Sequence, residues 1–165
     1  MMKIIEVLKE QFDGFEVIEE KWNEQYEGIL IKVNGQSRYK RCRLAHKTPR
    51  KEGYFTAFWK KDQFNKNIPF SDRDMIDELI IVINDGQQKG MFLIPKNVSI
   101  TQNIISTKTS KGKMAMRFYP PWCQDLNKTA LATQKWQLNY FIDLSEKEQN
   151  YFNFLICQIK LDNFT

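Results

Sequence analysis

The run Leu79-Ile80-Ile81-Val82-Ile83 constrains the fold of this 165-residue chain more than any other stretch. Its β-branched side chains favour an extended backbone. A strand sends successive side chains to opposite faces, so a run that is apolar at every position needs cover on both. The run therefore predicts a sheet with a layer on either side. Asp85-Gly86 ends it with a turn pair, and "KGMFLIPK" reads as the returning strand of a hairpin.

Other turn signals place the remaining elements. Asn34-Gly35 lies between two strand-like runs in "YEGILIKVNGQSRYKRCRLAHKT", which reads as a hairpin. Pro49 begins a basic turn into a third strand, "GYFTAFWKK", and "SKGKMAMRFYPPW" is a further strand ending at Pro120-Pro121. Ile4, Leu8 and Phe12 fall at helical spacing and predict an N-terminal amphipathic helix stopped near Gly14, rather than a signal peptide. Asn127 is placed to cap a helix over "KTALATQKWQLNYF". Ser145 and Glu148 form a capping box before a helix with Tyr151, Phe152, Leu155, Ile156 and Ile159 on one face. The expected fold is one α/β (α+β) domain over residues 1–165, a central mixed β-sheet flanked by helices.

Several functions are disfavoured. No apolar run approaches the ~20 residues of a membrane span, so a soluble, cytoplasmic protein is expected. Cys42, Cys123 and Cys157 are odd in number, far apart and in no C-x-x-C pattern, which fits reduced thiols rather than disulfides or zinc. "NDGQQKG" lacks the spacing of a phosphate-binding loop. His46 is the single histidine, and Cys42, four residues before it on one strand, would stand roughly 13 Å away. Nucleophilic catalysis by that pair is not expected.

Charge is more informative. Residues 32–61 hold ten basic side chains against one acidic, and residues 86–139 add net +7, whereas residues 1–31 are net −5. Brought together, the two basic blocks would form one surface for a polyanion. Strand alternation puts Tyr39, Arg41, Arg43 and Lys47 on one face, Trp59 with Lys61 and Phe58 with Lys60. Lys113, Arg117 and Tyr119 share a face, with Met114, Met116 and Phe118 turned to the core. Phe55 and Phe58 are also assigned to the core. Cations bind phosphates and exposed aromatics stack on unpaired bases, a combination suited to single strands. Carboxylates offer a second chemistry: Asp72, Asp74, Asp77 and Glu78 cluster before the apolar run, where two or more could hold Mg²⁺ or simply cap and solvate a loop.

"RCRLAHKTPRKEGYFTAFWKK", "IPFSDRDMIDELIIVI", "KGMFLIPK", "GKMAMRFYPPW" and "TQKWQLNYF", in this order over about residues 24–141, resemble the MepB family of bacterial proteins. The resemblance implies a fold similar to the PD-(D/E)XK restriction-endonuclease-like nucleases, and nucleic-acid binding with an incomplete nuclease centre. By position Asp77 matches that motif's Asp, and Ile94-Pro95-Lys96 stands where acid-x-Lys would stand. Ile94 would then replace the second metal ligand.

The expected function is binding of RNA or DNA, single strands preferred, without catalysis or cofactor. The expected contacts are Lys40, Arg41, Arg43, Lys47, Arg50, Lys51, Lys60, Lys61, Lys96, Lys111, Lys113 and Arg117, with Trp59 and Tyr119 stacking. The alternatives are a Mg²⁺-dependent nuclease using Asp77 and Lys96, and a protein-interaction module with a basic docking face.

Overall fold

A computed structural model of the protein describes residues 2–19 and 21–145. The chain runs α1 (Lys3–Gln11), β1 (Phe15–Glu19), β2 (Ile29–Val33), β3 (Tyr39–Leu44), β4 (His46–Thr48), β5 (Lys51–Ala57), β6 (Trp59–Lys61) and β7 (Asn67–Pro69). It continues with β8 (Glu78–Asp85), β9 (Gln88–Pro95), α2 (Lys96–Thr101), β10 (Ala115–Phe118), α3 (Lys128–Gln137) and β11 (Phe141–Asp143). The main sheet has six strands in the order β1-β2-β3-β8-β9-β11; a three-stranded sheet, β10-β5-β4, and the β6–β7 hairpin complete the fold. It is a mixed α+β domain around a central mixed sheet.

The apolar run forms β8, and both of its faces are covered. Ile80 and Val82 pack with Cys42, Leu44, Ile29, Ile31 and the α1 residues Ile4, Val7 and Leu8. Leu79, Ile81 and Ile83 pack with Phe92, Ile94, Phe58, Phe70 and Phe118 on the other side. Each such burial contributes about 1.5–3 kcal/mol. Arg41 and Arg43 reach into this second layer, their guanidinium carbons 4.4 and 5.6 Å from the Phe70 ring centre.

Pairing in the main sheet is antiparallel except between β3 and β8, which run parallel with Lys40 opposite Glu78 and Leu44 opposite Val82. Parallel neighbours need a crossover connection. Here the crossover is residues 45–77, and it builds much of the second layer. The expected single strand through Lys47 is therefore broken: the chain leaves the main sheet at Ala45, whose N–H donates to the Val82 carbonyl oxygen, and starts β4 in the smaller sheet. "GYFTAFWKK" likewise divides into β5 and β6.

Three other expectations change. Phe55 is half-buried on the outer side of the small sheet, paired with His46 and Arg117, rather than in the core. Met114 is 38% exposed, whereas Met116 packs against the core. The helix capped by Asn127, whose Oδ1 accepts from Ala130 N–H at 2.9 Å, ends at Gln137, and Phe141–Asp143 instead forms the edge strand beside β9. The helix expected after Ser145 lies outside the described residues.

Gly90 lets β11 close on β9. A Cβ there would come within 2.6 Å of the Phe141 ring and 2.8 Å of the Ile142 carbonyl oxygen. Gly90→Ala is expected to push this edge off and to cost about 1–3 kcal/mol in urea unfolding. A loss below about 0.5 kcal/mol would show that the contact does not fix the edge.

Candidate functional site

Asp77 and Lys96 meet, but through their backbones. Asp77 N–H donates to the Tyr39 carbonyl oxygen (2.9 Å), Tyr39 N–H donates to Asp77 Oδ2 (2.7 Å), and Lys96 N–H donates to the Asp77 carbonyl oxygen (3.0 Å). Asp77 thus pins the first residues of the parallel β3–β8 pair. Glu78 Oε1 accepts from Lys40 Nζ at 3.0 Å. Asp74 uses one oxygen for Lys60 Nζ (2.7 Å) and the other for Ser71 N–H (2.7 Å). Ile94 is fully buried in the core. Each of these three carboxylates has its own partner. Among the described residues no group of three or more His, Cys, Asp or Glu side chains could hold a metal ion. Three of the four carboxylates before the apolar run are thus engaged by protein donors.

Lys40, Arg41 and Arg43 must be removed from the expected surface. They are 5%, 4% and 0% exposed. Lys40 pairs with Glu78, and Arg41 lies 3.6 Å from Glu19 Oε1. Arg43 donates through Nε to Asn23 Oδ1 and to the Ala57 carbonyl oxygen, and through Nη1 to the Cys42 carbonyl oxygen. Burial, with Arg41 beside it, pulls the Arg43 guanidinium down to about 9. These cations join the two layers. Lys60 is also engaged, by Asp74.

Eight expected cations remain: Lys47, Arg50, Lys51, Lys61, Lys96, Lys111, Lys113 and Arg117 form no ion pair with a described residue. Lys47, Arg50 and Lys51 lie on the β4–β5 hairpin. Arg117 stands opposite Phe55 on the neighbouring strand, its guanidinium 5.7 Å from that ring. Arg50, Lys51, Arg117 and Tyr119 line one open cavity of ≈ 510 Å³, together with Glu52, Asp125 and the first turn of α3. Lys111 and Lys113 precede β10 at the far end of β5, where Phe58 N–H donates to the Met114 carbonyl oxygen. That end is roughly 20 Å from Lys51 along the strand. Lys61 follows in β6, its ammonium 5.3 Å from the Trp59 ring centre. Lys96 lies apart, at the β9–α2 junction.

His46 is exposed but has protein partners. Its Nε2 lies 2.7 Å from the Gln25 carbonyl oxygen and its ring 5.5 Å from Tyr26. Burial pushes the Cys42 thiol up to about 12 and the Cys123 thiol up to about 11, which disfavours their nucleophilic thiolate forms at neutral pH.

Sequence reasoning missed four residues. Trp22 and Asn23 sit beside Trp59, and Tyr26 covers Phe55. Phe64 is 73% exposed at the β6–β7 tip, where Asp62 Oδ1 accepts from both Phe64 N–H and Lys66 N–H. The Asp62-x-x-Asn65 turn spacing was the available signal for Phe64. Nothing local marks the other three.

The two roles of cations separate by stability. Arg43→Ala strips a hydrogen bond from buried carbonyl oxygens and should cost roughly 3 kcal/mol or more, whereas Arg50→Ala should stay within about 0.5 kcal/mol. Asp77→Ala should cost about 1 kcal/mol through the lost Tyr39 N–H contact, with Mg²⁺ leaving the wild-type melting temperature unchanged. Urea unfolding and thermal melts check all three. A Mg²⁺-induced rise that Asp77→Ala abolishes would contradict the structural role.

The MepB-like family model matches residues 20–143. A crystal structure of MepB is similar, at 40% sequence identity and a TM-score of 0.76, the comparison covering 87% of this chain and 98% of that chain. A search of curated proteins found no match. The family match takes in β2 to β11 and so the parallel pairing, the crossover and both basic segments. The chain belongs to the MepB-like family.

Proposed function

We propose that this protein binds single-stranded RNA or DNA along the outer side of the β4–β5–β10 sheet, without cleaving it. The observation that carries this reading is the pairing of β5 with β10, which sets the two basic blocks of the sequence side by side. Cations without carboxylate partners keep their charge available for phosphates. The half-buried rings of Tyr119, beside Arg50, Lys51 and Arg117, and of Trp59, beside Lys61, lie among them, and flat aromatic faces suit unpaired bases rather than a duplex groove.

We further read the fold as related to the PD-(D/E)XK nucleases with a degenerate centre. Support comes from the Asp77–Lys96 backbone contact at the junction where that motif would sit, and from the apolar, buried Ile94. A cytoplasmic setting agrees with the free, buried Cys42 and Cys123. Among the described residues no helix is long and apolar enough to cross a membrane.

Fluorescence anisotropy with labelled oligo(U), oligo(dT) and a duplex of equal length, titrated at several salt concentrations, tests the reading. Log affinity should fall with log salt at about −0.7 per phosphate contact on single strands. Arg50→Ala combined with Lys51→Ala should flatten that slope by about 1.4. No binding at low salt, binding indifferent to salt, or Mg²⁺-dependent cleavage of the oligonucleotide would each sink the proposal.

A further inference from the structure

The segment joining β1 to β2 holds strained backbone. Trp22 and Asn23 are consecutive left-handed residues (φ 58° and 55°), and Glu27 follows at 46°. Left-handed backbone is uncommon outside glycine, and for a side chain as bulky as tryptophan it is an outlier that only surrounding structure can maintain. Asn23 supplies part of that structure: its Oδ1 accepts from Arg43 Nε at 2.9 Å and from Trp59 N–H at 3.2 Å. Gly28 supplies another part, because a Cβ there would come within 3.0 Å of the Arg43 guanidinium carbon.

These contacts hold the Trp22 indole at the rim of an open cavity of ≈ 600 Å³ lined by Lys21, Trp22, Asn23, Glu24, Gln25 and Trp59. That volume suits a small ligand. Packing accounts for one side of Trp22, which meets the Phe70 ring edge-on at 6.2 Å. Packing does not account for a second half-buried indole at the same opening, nor for the Lys21 ammonium over the first. Lys21 Nζ stands over the Trp22 ring, 4.3 Å from its centre; Lys61 Nζ, outside the cavity lining, lies 5.3 Å from the Trp59 ring centre and donates to the Asn65 carbonyl oxygen at 3.2 Å. Asn23 is 3% exposed, and its Nδ2 is a buried donor with no hydrogen-bond partner among the described residues. Two indoles and the Lys21 ammonium at one opening suit a planar heterocycle bearing a phosphate.

We propose that this cavity takes one unpaired nucleotide, its base stacked on the Trp59 indole beside Trp22 and its phosphate held by Lys21. The proposal deepens the nucleic-acid reading above and rests on it, but concerns a site distinct from the cavity of Arg50, Lys51 and Arg117.

Tryptophan fluorescence and calorimetry with AMP and UMP test it, with ribose 5-phosphate and inorganic phosphate as probes that lack a base. AMP and UMP should quench saturably, and the base-free probes should not. Trp59→Leu should weaken AMP about ten-fold. It leaves the Trp59 N–H bond to Asn23 in place, so the strained loop keeps its anchor. Lys21→Ala, a surface change, should weaken AMP and reduce its salt dependence, whereas Lys61→Ala should leave both unchanged. Absence of saturable AMP or UMP binding at millimolar concentration, while oligonucleotides still bind, would overturn the pocket and leave the surface reading standing. AMP affinity unchanged in Trp59→Leu would overturn it too. AMP binding that Trp59→Leu removes, in a protein that binds no oligonucleotide, would uphold the pocket and overturn the surface reading.

Discussion

The parallel pairing of β3 with β8 is the constraint from which the rest of the architecture follows. Two hairpins, β2–β3 and β8–β9, are joined edge to edge by it. Asp77 pins one end of the pair through Tyr39, and the Ala45–Val82 hydrogen bond closes the other. Because parallel neighbours cannot be joined by a tight turn, the intervening 45–77 segment has to leave the sheet and return. It does so as β4 to β7, and with β10 it supplies Tyr54, Phe58, Phe70 and Phe118, which cover one face of β8. The other face is closed by α1. The basic hairpin is thus a by-product of topology: the crossover that buries Leu79, Ile81 and Ile83 carries its polar side outward.

Features fixed by local chemistry were legible in the sequence. The Leu79–Ile83 run called for cover on both faces, Asn34-Gly35 and Asp85-Gly86 closed their hairpins, and Asn127 capped its helix. Features fixed by partners distant in the chain were not. Nothing at Ala45 marks a change of sheet, since neither glycine nor proline is needed for it. Alternation correctly put Arg41 and Arg43 on one face, but that face is the interior one, and what makes it tolerable for charge is Phe70, Asn23 and carbonyl oxygens far along the chain. A three-residue edge strand such as Phe141–Asp143 has too few positions to show a period of two. Trp22 and Asn23 adopt left-handed backbone without a glycine, which no composition rule anticipates.

The division of labour among charged groups bears on function. Asp74, Asp77 and Glu78 are spent on backbone and lysine partners, so the acidic cluster of the sequence is a set of separate structural contacts rather than a convergent site. The basic excess divides in two. Lys40, Arg41 and Arg43 hold the layers together, and the cations of the β4–β5 hairpin, of Arg117 and of the segment before β10 stay free of described carboxylates. Tyr26, lying on His46 and Phe55, ties the strained 21–28 loop to that same outer side. The 21–28 loop is therefore packed on the same small sheet that carries the hairpin cations and Arg117.

Mapping a bound oligonucleotide onto the chain tests this account most directly. Photo-crosslinking of the full-length protein to a thiouridine-containing oligo(U), with crosslinked peptides identified by mass spectrometry, should place adducts in residues 21–26, 46–61 and 111–119. Adducts confined to α1 or to the β1–β2 edge would contradict it, as would their absence under conditions where the oligonucleotide binds.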